Sequence, residues 1–101
     1  MLTSFKTYNL AREFYKSISQ LTVPGHLKNQ LARAASSIAL NLAEGCGKSS
    51  KTDRKRFYEI ALGSLRECQA ILQLEDLDST PQWEKLDEVA AALYKLLKSL
   101  S

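Results

Sequence analysis

The seven residues Glu44-Gly45-Cys46-Gly47-Lys48-Ser49-Ser50 carry the parts of a phosphate cradle: two glycines, a lysine and two hydroxyls. A phosphate loop needs G-x-x-x-x-G-K-[ST] between a strand and a helix, so that its amides and lysine converge on the phosphates. Gly47-Lys48-Ser49 supplies the last three positions, but the first glycine falls on Leu42, and the preceding segment has helical periodicity. The stretch therefore reads as a helix end. Gly45 and Gly47 are expected to terminate the helix in left-handed conformation, with Lys48 at the negative end of its dipole. Other catalytic chemistry is equally short of parts. The one histidine, His26, lies in a loop-like segment, and no Glu-x-x-His motif suggests a two-metal centre. Cys46 and Cys68 match no zinc or redox spacing and read as reduced, half-buried small hydrophobes. No enzyme, cofactor or metal is expected.

Binding chemistry is better represented. Lys48, Lys51, Arg54, Lys55 and Arg56 face only Asp53 within nine residues, although the whole chain carries a net charge of only +3. Further on, Glu75, Asp76, Asp78, Glu84, Asp87 and Glu88 are opposed only by Lys85.

Four amphipathic segments must position these charges. Ala11, Phe14, Tyr15, Ile18 and Leu21 form the first stripe, ended by Val23-Pro24-Gly25. Leu27, Leu31, Ala34, Ala35, Ile38 and Leu42 form the second. Phe57, Ile60, Ala61, Ser64, Cys68, Ile71 and Leu72 form the third. Leu86, Val89, Ala90, Leu93, Leu96, Leu97 and Leu100 form the fourth, opened by Thr80 as N-cap and Pro81 at the first helical position. No segment alternates like a strand. Short connections make neighbouring helices antiparallel, so residues 1–101 are expected to form one all-α domain, an up-down-up-down four-helix bundle. That topology puts the basic and acidic turns at opposite ends and brings Lys6, Lys95 and Lys98 to the basic one. A basic pole favours polyanions such as RNA; the alternative is a solvated turn of ordinary lysines. Phe57 and Tyr58 offer little as a stacking platform for bases.

Polar residues on or beside the apolar stripes need partners. If the second and third helices form a hairpin, Arg33 is expected to face Glu67, and Asn41 or Glu44 to face Arg56. The structural reading is that these polar groups fix helix register; a catalytic acid–base pair is the alternative. Gly63 and Ser64, midway along the third helix, suggest close packing against the alanine-rich second helix, and Trp83 and Tyr94 read as core or interface. No apolar run is long enough to cross a membrane, and the N-terminus lacks the layout of a secretory signal, so a cytoplasmic protein is expected.

The blocks NQLARAASSIALNLAEGCGKSS and RFYEIALGSLRECQAIL resemble the four-helix-bundle proteins encoded by intervening sequences within bacterial large-subunit (23S) ribosomal RNA genes. The shared pattern is Q-L-x-R-A-x-x-S-I-x-x-N-[IL]-A-E-G-x-G over Gln30–Gly47, then R-F-x-x-I-A-x-G-S-L-x-E over Arg56–Glu67. The family's usual tryptophan-containing start is absent, and the segment between the first two helices is shorter. The resemblance implies a left-handed antiparallel bundle that assembles into closed pentameric rings. A more distant likeness is to the accessory protein of diversity-generating retroelements, which works with a reverse transcriptase and nucleic acid. Together these readings suggest a non-enzymatic oligomeric binding module contacting RNA or another polyanion through the basic pole. The alternative is a structural or protein-interaction scaffold that binds no nucleic acid.

Overall fold

A computed structural model describes residues 2–101 of the chain. A short 3-10 turn, Leu2–Ser4, precedes four α-helices: α1 (Lys6–Ser17), α2 (Gly25–Cys46), α3 (Lys51–Leu74) and α4 (Pro81–Ser99). Among the described residues there is no strand. Specific contacts fix the directions of the helices. Gln30 Nε2 donates to Glu67 Oε2 (3.1 Å) and Ser64 Oγ to Ser37 Oγ (2.8 Å), so α2 and α3 run antiparallel. At the start of α4, Gln82 Nε2 donates to the Ser17 carbonyl at the end of α1 (3.3 Å). Arg66 Nη2 on α3 donates to the Tyr94 hydroxyl on α4 (3.1 Å). The result is an up-down-up-down bundle of 40 × 22 × 21 Å. The α2–α3 pair shares its widest contact.

Hydroxyl caps set two of the helix starts. Ser50 Oγ accepts from the Asp53 amide (3.1 Å) to open α3, and Asp53 places a carboxylate at the positive end of the dipole. Thr80 Oγ1 accepts from the Trp83 amide (3.2 Å) to open α4, with Pro81 just inside.

The helix ends depart from expectation. Gly47 caps α2 with ordinary right-handed φ of −84°, and Gly45 lies inside the helix. Among the described residues, left-handed backbone occurs at Asp76 (φ 56°). There the Leu77 amide reaches back to the Leu72 carbonyl (2.7 Å) and the Asp76 amide to the Gln73 carbonyl (3.1 Å), closing the end of α3. Gly45 serves packing instead. A Cβ there would stand 2.6 Å from Tyr58 Cε1 and 3.1 Å from Phe57 Cβ, so its absence lets α3 approach. Gly63 does the opposite of what was expected: it faces open space, with nothing within 4 Å of a would-be Cβ. Ser64 alone makes the close contact with α2.

The core joins Ala11 and Phe14 of α1 to the expected stripe of α2, to Tyr58, Ala61, Leu65, Cys68, Ile71 and Leu72 of α3, and to Leu86, Val89, Ala90 and Leu93 of α4. In α3 the stripe is rotated from the expected one: Tyr58 and Leu65 are buried, whereas Ile60 is 45% exposed. In α1, Tyr15 is exposed, because the helix gives way after Ser17 to a 3-10 turn and Ile18 reaches the core from there.

Burial pushes the Cys68 thiol up to about 12, with the neighbouring Glu67 adding to the effect. The fold therefore favours the neutral thiol, and stability from this group is full below its ordinary value of 9.0 and lost as pH rises toward about 12. The advantage of the wild type over Cys68→Ala should narrow by about 1.4 kcal/mol per pH unit through that window in denaturant titrations. At neutral pH a thiol reagent should label exposed Cys46 in the folded chain and reach Cys68 only on unfolding; equal labelling rates would contradict this packing.

Candidate polyanion-binding pole

The C-terminus of α2, the turn over residues 47–50 and the first turns of α3 form one end of the bundle. The chain start joins it, because the Phe5 ring packs against Tyr58 with centroids 6.1 Å apart. Lys6 and Lys95 line a common groove between α1 and α4 near the same end. The clustered acidic residues lie at the opposite end, on the α3–α4 turn and the first half of α4.

The five expected site residues differ in setting. Lys51, Lys55 and Arg56 are exposed. Lys48 is half-buried; its Nζ lies 3.4 Å from Glu44 and 5.3 Å from the Phe57 ring centre. Arg56 also lies over that ring, at 5.0 Å. Phe57 is thus covered by two cations and is not a free platform for bases. Among the described residues, Lys48–Glu44 is the one ion pair within 4.0 Å, so Lys51, Arg54, Lys55 and Arg56 have no carboxylate partner at that distance. Arg54 is half-buried, and its Nε is shielded from water without a hydrogen-bond partner. Its charge reaches Tyr58: burial raises that hydroxyl's pKa, Cys46 adds to the rise, and Arg54 partly offsets it.

The expected polar pairs are rearranged. Arg33 and Glu67 line the same α2–α3 groove, a cavity of about 790 Å³, but form no ion pair. The register places Gln30, one turn earlier, opposite Glu67. Both charged side chains are exposed, so water competes with any pairing and little would be gained. Neither Asn41 nor Glu44 pairs with Arg56. Asn41 Nδ2 donates to the Ser37 carbonyl (2.9 Å) and Ser37 Oγ (3.1 Å), Glu44 pairs with Lys48, and Arg56 turns onto Phe57. The half-buried link between α2 and α3 is the Asn41–Ser37–Ser64 chain. Ser37 went unassigned because a serine among alanines reads as a small spacer; its spacing of four from Asn41 was the available clue.

His26 is exposed at the start of α2. Among the described residues, no three His, Cys, Asp or Glu side chains are grouped to hold a metal ion, and no helix is long and apolar enough to cross a membrane. The arrangement can attract and hold anions; it offers no nucleophile with an aligned base.

No curated protein matches the chain. The family model for the 23S rRNA-intervening sequence protein matches residues 3–101, nearly the whole bundle and both of its poles, and the chain belongs to that family.

Proposed function

We propose that this chain is a non-enzymatic, oligomeric binding module that contacts RNA, or another polyanion, through the pole formed by Lys48, Lys51, Arg54, Lys55 and Arg56. The observation that carries the reading is the separation of charge. Four of these cations lack a carboxylate within 4.0 Å, while the clustered carboxylates occupy the other end of a bundle 40 Å long. Field from such a pole steers polyanions toward it. The module acts in the cytoplasm, where two unpaired thiols stay reduced. A closed ring, as in similar proteins, would set several poles side by side and multiply weak contacts.

The test is binding of a fluorescently labelled, structured RNA at about 50 and about 200 mM salt. Four phosphate contacts per copy predict a loss of roughly a hundredfold over that range. Absence of binding at low salt would overturn the reading. A second reading, a protein-interaction scaffold without nucleic acid, draws on Leu40 and Leu74, which are 67% and 72% exposed. It predicts no RNA binding at either salt concentration.

A further inference from the structure

Two opposite sides of the bundle are grooved. Since α2 neighbours α1 and α3, and α4 neighbours the same two helices, the α2–α3 face and the α1–α4 face point away from each other. On the first, Leu40 is 67% exposed and Ile60 45% exposed. Gly63, midway along α3, leaves open space that nothing in its own chain uses. On the second, Ala91 and Ala92 line a groove of about 540 Å³ between Glu88 and Lys95.

We propose that the α2–α3 face of one copy packs against the α1–α4 face of the next, joining copies side by side with their basic poles on one rim. The inference rests on the oligomeric part of the proposed function and adds which surfaces meet.

Charge and size select this occupant. Arg33 is exposed and has no carboxylate within 4.0 Å. It is the ninth residue of α2, counted from the acidic end of the bundle, and Glu88 is the eighth residue of α4, counted from the same end. At a rise of about 1.5 Å per residue, the two stand at nearly the same height on opposite faces. Copies aligned in parallel therefore bring the Arg33 of one to the Glu88 of the next. The small side chains of Ala91 and Ala92 leave room for Leu40, the bulky exposed group opposite. A side of a 40 × 22 × 21 Å bundle presents roughly 800 Å², about what each partner contributes to a standard interface. Such a contact is head-to-tail, so it closes into a ring or continues as a filament.

Light scattering and sedimentation of the full chain, with circular dichroism to confirm folding, test the proposal. Arg33→Glu and Glu88→Arg each convert attraction to repulsion and should weaken assembly at least about tenfold. The double variant should recover the wild-type mass. Leu40→Glu should leave a folded species of 11.3 kDa. Recovery of Arg33→Glu by Glu67→Arg, and not by Glu88→Arg, would mean that two α2–α3 faces meet about a two-fold axis, and would overturn the proposal. Single reversals that leave assembly intact would also overturn it. A wild-type chain that stays monomeric at tens of micromolar would remove the oligomer reading itself, while RNA binding by the pole is measured separately.

Discussion

Gly45→Ala should lower the stability of the folded chain by about 1–3 kcal/mol, the usual cost of overpacking, whereas Gly63→Ala should raise it by about 1 kcal/mol. The same added methyl group has opposite consequences because its surroundings differ. At Gly45 the new Cβ would stand 2.6 Å from Tyr58 Cε1, 2.9 Å from Cδ1 and 3.1 Å from Phe57 Cβ. The Tyr58 ring cannot simply swing away, since it is 4% exposed and packs against Phe5. Relief requires α3 to move off α2, which loosens the widest contact in the bundle. The gain in helix propensity at Gly45 is small, because it lies in the last turn of α2. At Gly63 nothing is within 4 Å and the residue is mid-helix, so alanine brings its full propensity advantage. In a domain of this size each kcal/mol moves the midpoint by about 4–8 °C. Thermal melts at concentrations low enough to populate the monomer would read both changes. Shifts in the same direction would contradict the close approach at Gly45.

The triple variant Lys51→Gln/Lys55→Gln/Arg56→Gln should weaken RNA binding at least tenfold at low salt and reduce the salt slope by roughly three units, about one per lost phosphate contact. Its melting point should stay near that of the wild type, because all three side chains are exposed and none forms an ion pair within 4.0 Å. Arg54 is left out deliberately. Its Nε is buried and its charge influences Tyr58, so replacing it would mix a folding defect with a binding one. Undiminished binding by the triple variant would reduce the basic pole to a solvated turn and favour the scaffold reading.

The architecture was legible because four apolar stripes repeat at helical spacing and the breakers between them are strong. Ser50 and Thr80 open their helices through local side-chain chemistry that a short stretch of sequence specifies. What could not be read depends on how one helix sits against another. The α3 stripe turned from Ile60 toward Tyr58 and Leu65 because both sets satisfy the periodicity, and only the approach at Gly45 decides between them. Pairing Arg33 with Glu67 required knowing the register to within a turn, and Gln30 takes the place assigned to Arg33. Composition identified the charged cluster at the pole. It could not foresee that Phe57 would be covered by Lys48 and Arg56, or that Arg54 would be half-buried, since both depend on how the turn folds back.

The four-residue turn between α2 and α3 has a consequence for how the chain is made. These two helices meet through residues close in sequence, so closing their loop costs little entropy, and contacts of this kind form early in folding. As the polypeptide leaves the ribosome, the α2–α3 hairpin can zip up while α4 is still being synthesised. By contrast, α1 finds one of its two neighbours only at the end, when Gln82 reaches the Ser17 carbonyl and the two termini close on each other. Until then the apolar side of α1 that α4 will cover stays open to water. The nascent chain is a half-built bundle whose first-made helix is among the last to be enclosed.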